Sequence, residues 1–355
     1  MASKVWLAQF DDQETDDSIV RKAAEVFEKA GMTAIAREDK SCAIKTHFGE
    51  PGDNSYLPPH FIQPFVDQLK EAGSKPVFVE TSTLYSGQRS NAVDHFHTAV
   101  EHGFGYENTG CPVTFVDGMQ GNYHVEVDVD LKHFDRVAVA GDFPLIPSVL
   151  VVSHLTGHEL GGIGGAIKNV AMGLTSRSGK MRQHDAGKPK VDEDECVACG
   201  TCARWCPVDA IEVPDVATID YETCIACGEC LAVCPVDAIG FEWSENAANF
   251  SEQMAEYACG ILQGKESTAG FVTFIHHTTK ECNCPGKKMD RICPDLGILA
   301  SFDPVAIDQA AVDLVNESAG KDVFQAMWPN TSYQAQLEHG DKIGLGTPEY
   351  ELIRL

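Results

Sequence analysis

Eight of the fourteen cysteines fall into two near-identical runs, Cys196-x2-Cys199-x2-Cys202-x3-Cys206-Pro207 and Cys224-x2-Cys227-x2-Cys230-x3-Cys234-Pro235. This is the ligand spacing of a bacterial two-cluster ferredoxin, in which the fourth cysteine of each run ligates the other cluster. It assigns Cys196, Cys199, Cys202 and Cys234 to one [4Fe–4S] cubane, and Cys224, Cys227, Cys230 and Cys206 to a second. Three thiolates separated by two residues wrap three corners of one cubane, and a short helix carries the fourth cysteine away. Each proline then keeps the helix from running through the ligand. Paired C-x-x-C motifs also bind zinc, but eight cysteines in this doubled register point to iron–sulfur. The chain is expected to move electrons.

A second constellation runs from Ser153 to Asn169. His154 and His158 follow a strand of buried type, and Gly161, Gly162, Gly164 and Gly165 then open a helix that carries Lys168. Glycines let the backbone approach a ligand, and a helix N-terminus offers N–H groups to an anion. The spacing matches neither a phosphate-binding Walker loop nor a dinucleotide fingerprint. A tight strand–helix turn with incidental histidines is the bland alternative. With His184 nearby, His154, His158 and Lys168 read as a catalytic pocket for a small anionic ligand, its cofactor-binding turn made by the four glycines. A helix start and imidazolium neighbours are expected to disfavour the protonated form of Lys168.

The third is Cys282-Asn283-Cys284-Pro285, after His276 and His277 and before Cys293. Two thiols this close can share a metal or an additional cluster, with Cys293 or a histidine as third ligand; a disulfide or plain loop thiols are the alternatives. Cys42, Cys111 and Cys259 read as inert buried cysteines. His47 joins the catalytic candidates, beside Glu50 in a polar loop. Arg89, next to a Gly-containing turn, reads either as a carboxylate clamp or as an exposed loop arginine.

These groups need elements to hold them. Val5–Phe10, Cys42–Phe48, Pro76–Glu80, Val113–Val116, Arg136–Ala140, Val149–Ser153 and Phe271–His276 read as strands. Asp16–Gly31, Pro59–Ala72, Ala92–Gly103, Ala247–Leu262 and Asp303–Ala319 read as helices, the last with Asp303 as N-cap and Pro304 in the first turn. The alternation predicts an α/β fold with a largely parallel sheet flanked by helices. Ligands bind such sheets beyond the C-terminal strand ends. A basic stretch, Ser176–Lys190, leads to the cysteine runs. The organisation expected is an α/β domain in two parts, 1–190 and 244–355, with a bacterial-type 2[4Fe–4S] ferredoxin domain inserted at 191–243.

The chain has 355 residues, 43% of them apolar, and a formal net charge of −26. That charge excludes nucleic acid and anionic membrane surfaces as partners. No apolar run approaches the ~20 residues of a membrane span. The start of the chain lacks a signal-peptide pattern, so a cytoplasmic location is expected, with low-potential clusters suited to an anaerobic host. Residues 188–242 carry twelve acidic and three basic side chains, which suits a redox partner protein with a basic docking face.

The segments KTHFGEPG, TSTLYSGQRSNAVDHFHTAVEHGF, SHLTGHELGGIGGAIKNVAMG, the cysteine pair, ECNCP and DLGILASFDPVAIDQA, in this order, resemble the iron–sulfur centre proteins of domain of unknown function 362. The resemblance spans nearly the whole chain and implies its fold, but no general activity. This sequence has CNC where CDC is expected, and Cys293 where an aliphatic residue is expected. More distantly, His158, Lys168 and His184 are similar in order and interval to a histidine, lysine and histidine of nickel-dependent lactate racemase. There the lysine carries a nickel-pincer nucleotide, the later histidine ligates nickel and the earlier one is a proton-transfer base. That similarity implies that Lys168, His184 and His158 face one pocket.

Three functions follow from these readings. One is an oxidoreductase whose two clusters pass electrons to the His/Lys pocket. Another is an electron-transfer subunit that docks a partner enzyme. The third is a racemase-like isomerase or cofactor-maturation protein.

Overall fold

Val149-Leu150-Val151-Val152 has no polar alternation, the pattern of a strand covered on both faces. It lies at the heart of an eight-stranded sheet. In spatial order the strands are Tyr350–Arg354, Ser3–Ala8, Gly297–Ser301, Ala269–Ile275, Ser148–His154, Ser41–Lys45, Lys75–Glu80 and Val113–Phe115. Seven run parallel, and Gly297–Ser301 is antiparallel to both its neighbours. The structure, a computed structural model, describes residues 2–85, 87–184, 188–224, 226–240, 247–284 and 286–355. The expected domain boundary at 243/244, residues 185–187 of the basic stretch, and Pro285 lie outside the described residues.

Side chains alternate between two cores. Val149 and Val151 pack with the helices Ala166–Gly173, Ala247–Leu262 and Pro304–Ala319. Leu150 and Val152 face the helices Asp16–Lys29 and Pro59–Glu71. The expected α/β class, largely parallel sheet and flanking helices are therefore present. Asp303 accepts hydrogen bonds from the Val305 and Ala306 N–H groups, as its position before Pro304 suggested. No helix among the described residues is long and apolar enough to cross a membrane.

Three expectations change. Arg136–Ala140 is a strand, but it pairs with His124–Asp128 in a separate ribbon rather than joining the sheet. Gly297–Ser301 and Tyr350–Arg354 were not anticipated, because short apolar runs do not separate strand from helix. Much of the basic stretch 176–190 does more than lead to the cysteine runs. Ser176 accepts a hydrogen bond from the Gly179 N–H and starts a buried helix, Arg177–Gln183.

The cysteine-rich segment has short ribbons, Lys190–Val191 with Ile239–Gly240 and Ile211–Glu212 with Thr218–Ile219, and short helices at Thr201–Trp205 and Glu229–Ala232. Its internal repeat extends to the backbone. Ala198 and Ala226, Gly200 and Gly228, and Asp209 and Asp237 all have φ between 51° and 75°. A left-handed alanine is unfavourable by roughly 1–2 kcal/mol, so the same turn is imposed twice. Met181 and Leu84, from outside the segment, complete its apolar core with Cys202, Ile211, Cys230, Leu231 and Ile239.

The helix Ala166–Gly173 is held by Asp308, whose carboxylate accepts from Ala166 N at 2.7 Å and Ile167 N at 3.0 Å. A Cβ on Gly165 would lie 2.3 Å from the Asp308 carboxylate. The helix N-terminus thus already holds the protein's own anion. Burial pushes the Asp308 pKa up to about 7, against the pull of the two N–H bonds. The folded state binds this proton more tightly than the unfolded state. Its contribution to stability is therefore complete below the unfolded value near pH 4 and is lost as pH rises through about 7. The shift corresponds to at most about 4 kcal/mol. Urea unfolding at pH 5 and pH 8 is expected to give a larger drop in stability for wild type than for Asp308→Asn. Equal drops would exclude this linkage.

Candidate functional site

Three parallel strands end in polar residues at one rim: Lys45 and Thr46 after one, Glu80 and Thr81 after the next, Ser153 and His154 after the third. Between Ser41–Lys45 and Ser148–His154 the connections diverge, since the chain leaves the former toward one sheet edge and the latter toward the other. Such a switch point opens a crevice. A cavity of about 230 Å³ lies there, and its lining includes His47, His154, His158, Lys168, His184, Cys282 and Cys284. Residues from five separate stretches of sequence therefore share one site. Gly164 and Gly165 reach it. Gly161 and Gly162 do not; they sit against Met254 and Tyr333, where a side chain would not fit. Cys293 is buried in the sheet–helix core instead, where burial raises its thiol to about 11.

The cavity floor holds charges that sequence reasoning missed. Lys45, 1% exposed, contacts Glu80 Oε1 at 2.5 Å and donates to Asn169 Oδ1 at 2.8 Å. Lys180 donates to Thr81 Oγ1 and the Thr175 carbonyl, both at 2.8 Å, and burial lowers its pKa to about 8 against the pull of Asp117 and Glu80. Arg89 sits in a turn but is no exposed loop arginine. It is buried, donates from Nε to Glu50 Oε2 at 2.7 Å, and touches His47 Nε2 with Nη1 at 3.0 Å. Lys45, Arg89, Lys168 and Lys180 make four lining cations, against the carboxylates of Glu80 and Glu159. A chain of net charge −26 has folded a cationic cavity. The one available signal was a charge closing each apolar strand, CAIK and VFVE.

Hydrogen bonds assign the histidine tautomers. His158 Nδ1 accepts from Leu160 N and Gly161 N, at 3.2 and 3.0 Å, which puts the ring proton on Nε2. His184 Nδ1 donates to the Lys180 carbonyl at 2.6 Å, which puts the ring lone pair on Nε2. Both rings pack on Phe250. Burial, with Lys168 adding to it, holds His158 well below its ordinary pKa; burial takes His184 down to about 4. The pair is neutral, one ring a donor and the other an acceptor. His154 donates from Nε2 to the His276 carbonyl at 2.7 Å, and its Nδ1 lies 3.1 Å from Asn283 Oδ1.

The expectation for Lys168 is corrected. Burial alone would lower its pKa, but Cys282 and Cys284 beside it outweigh burial and raise it. Its histidine neighbours are neutral, and the helix start is occupied by Asp308. Cys284 is pushed well below its ordinary pKa by the hydrogen bond from Cys282, with Lys168 and His47 assisting against burial; Cys282 is pushed up correspondingly. Among the described residues, no group of three or more His, Cys, Asp or Glu side chains is arranged to hold a metal ion.

The eight other cysteines line two small voids. Cys196, Cys199, Cys202 and Cys234 surround one, and Cys206, Cys224, Cys227 and Cys230 the other. Backbone N–H groups of Ala217, Ala210 and Ala226 point at the sulfurs of Cys196, Cys206 and Cys224. The second void adjoins the cavity wall, because Gly228 rests on Met181, so closely that a Cβ would lie 2.5 Å from Sδ. Met181 belongs to the helix Arg177–Gln183, which carries Lys180 into the cavity lining and ends at His184, another lining residue.

Removing one member of a buried ion pair typically destabilises by about 3–5 kcal/mol, because the other charge is left uncompensated. Lys45→Met and Glu80→Gln are each expected to fall in that range by chemical denaturation. The double variant should lose clearly less than the two losses added together. Strict additivity would show that the pair does not couple.

The comparisons with known proteins bear on the fold and the family. The lactate racemase apoprotein of Thermoanaerobacterium thermosaccharolyticum is structurally similar, with a TM-score of 0.45 and 9% identity, over 89% of this chain and 57% of that one. A Thermotoga maritima protein is similar with a TM-score of 0.42 and 11% identity, over 87% of this chain and 60% of that one. The chain thus spans less than two thirds of either. No curated protein matches it. The family model described as "Domain of unknown function (DUF362)" matches residues 42–313 of the 355, and the chain belongs to that family.

Proposed function

We propose that this chain is an iron–sulfur oxidoreductase acting on a small anionic compound in the cationic cavity. The observation that carries this reading is the crossed pairing of cysteines around two voids, one of which packs through Gly228 on the helix that also serves the cavity. The donor set fits two [4Fe–4S] clusters: four thiols each, apolar walls and inward N–H groups. In this reading residues 191–243 form a ferredoxin-type domain inserted between the two parts of the α/β domain. When bound, the clusters supply single electrons.

The residues divide the remaining work. Lys168 and Lys180 attract the anion, Glu80 having neutralised Lys45 and Glu50 having neutralised Arg89. His158 carries its ring proton on Nε2 and His184 on Nδ1, so the two rings hold their protons at different atoms beside the cavity. Leu57, Leu84, Leu160 and Met172 line the same cavity and exclude water from part of it, which strengthens those interactions. The first void is the more exposed, with Cys199 at the surface and Val197 61% exposed. A redox partner with a basic face would meet the acidic segment there.

The opposite tautomers of His158 and His184 favour a second reading, an isomerase that moves a proton between the two rings. Its turnover would not depend on electron supply.

Anaerobically purified protein is expected to contain about eight irons with matching sulfide. Cys230→Ser should lose about half of them. Lys168→Ala and His184→Ala should keep the iron and abolish ligand binding or turnover. Zinc at the cysteines, or Lys168→Ala protein that behaves as wild type with its ligand, would overturn the reading. Gly228→Ala should keep much of the iron but slow electron passage to the cavity, because its Cβ cannot coexist with Met181.

A further inference from the structure

The cavity contains a feature that anion binding and proton transfer do not use. Cys282 and Cys284 line it together as free thiols, two residues apart. Asn283 between them is fixed in place. Its amide nitrogen donates to Ser55 Oγ, its oxygen lies 3.1 Å from His154 Nδ1, and the residue is 5% exposed. The chain before it is anchored as well, by Gly157 N to the Thr279 carbonyl at 2.8 Å and Trp328 Nε1 to the Lys280 carbonyl at 3.1 Å. Lys168 and His47 line the same cavity.

We propose that Cys282 and Cys284 form a dithiol–disulfide couple, the two-electron site at which the cavity exchanges electrons with its ligand. The inference rests on the iron–sulfur reading above for its electron supply. Oxidation joins the two sulfurs in one S–S bond, passes two electrons to the bound ligand as acceptor and releases one proton from Cys282, Cys284 being held as the thiolate. Reduction breaks that bond with two electrons from one-electron iron–sulfur donors and restores the Cys282 proton from solvent entering by the cavity. Two clusters hold one electron each, so the chain can store the pair of electrons that one disulfide requires. A disulfide needs Cα atoms within about 7 Å of each other, and residues two apart across a bend meet that limit.

The experiment uses the intact holoprotein under anaerobic conditions. The protein is oxidised with a mild dye, or reduced with a viologen radical as one-electron donor. Accessible thiols are then alkylated, and the peptide containing Cys282 and Cys284 is weighed. The oxidised wild-type peptide is expected to resist alkylation and to be lighter by two hydrogens. After reduction it should take up two alkyl groups. Cys230→Ser, which disrupts the inner cysteine quartet, should slow that reduction by roughly tenfold or more, while a small-molecule dithiol still reduces the pair directly. Two alkyl groups on the oxidised peptide would overturn the couple, as would a metal lost on Cys282→Ser/Cys284→Ser. Reduction at the wild-type rate in Cys230→Ser would overturn its link to the clusters. Absence of iron would instead overturn the iron–sulfur reading, and the peptide mass would still report on the couple.

Discussion

Lys45 and Glu80 close adjacent parallel strands, and their contact at 2.5 Å lies almost wholly out of water. Stripping solvent from two such charges is unfavourable by several kcal/mol for each ion. The pair is tolerable only because each neutralises the other and Asn169 adds a hydrogen bond to the lysine. Much of the site follows from that constraint. Asn169 must come from the helix Ala166–Gly173, and that helix must end close to Lys45. At its last residue a Cβ on Gly173 would lie 2.1 Å from Lys45 Cε, so the helix can approach only with glycine there. Glu80 is also 4.0 Å from Arg89 Nη1 and 3.9 Å from His95 Nε2, which ties the second polar loop to the same floor.

The same helix is fixed at its other end by Asp308, from a helix well over a hundred residues away. An N-terminus that could have received a ligand's negative charge holds a carboxylate of the protein. Attraction for an outside anion therefore falls to side chains, and these arrive from several directions. The helix Arg177–Gln183 is decisive among them, since it brings Lys180 under the cavity while Met181 packs into the cysteine-rich segment. One short helix is thus shared by both sites.

The acidity of the chain and the positive charge of the cavity are complementary. Excess carboxylates on the outside repel anions at long range, screened over a distance of about 8 Å at physiological salt. Inside the cavity the lower dielectric makes the lysines and Arg89 dominate at short range. Selection for a ligand then depends on fit within the cavity rather than on bulk attraction. The cysteine pair at Cys282 and Cys284 lies within that field, beside Lys168 and His47.

By itself the sequence determined whatever depends on local spacing. Two cysteine registers with matching left-handed turns, an apolar βα alternation, and an Asp303-Pro304 helix start each need only neighbouring residues, so they are legible in order along the chain. The convergence of His154, His158, Lys168 and His184 was legible for the same reason, because one strand–turn–helix unit carries three of them. Tertiary structure decided what surrounds them. Arg89 became a buried clamp on Glu50, Lys180 of the basic stretch joined the cavity lining, Gly161 and Gly162 served packing, and Cys293 went to the core. Lys168 also came to hold its proton more tightly, because two thiols from a segment more than a hundred residues away lie beside it. A buried group's charge state depends on the few charges and dipoles nearest in space, and those come from remote parts of the chain.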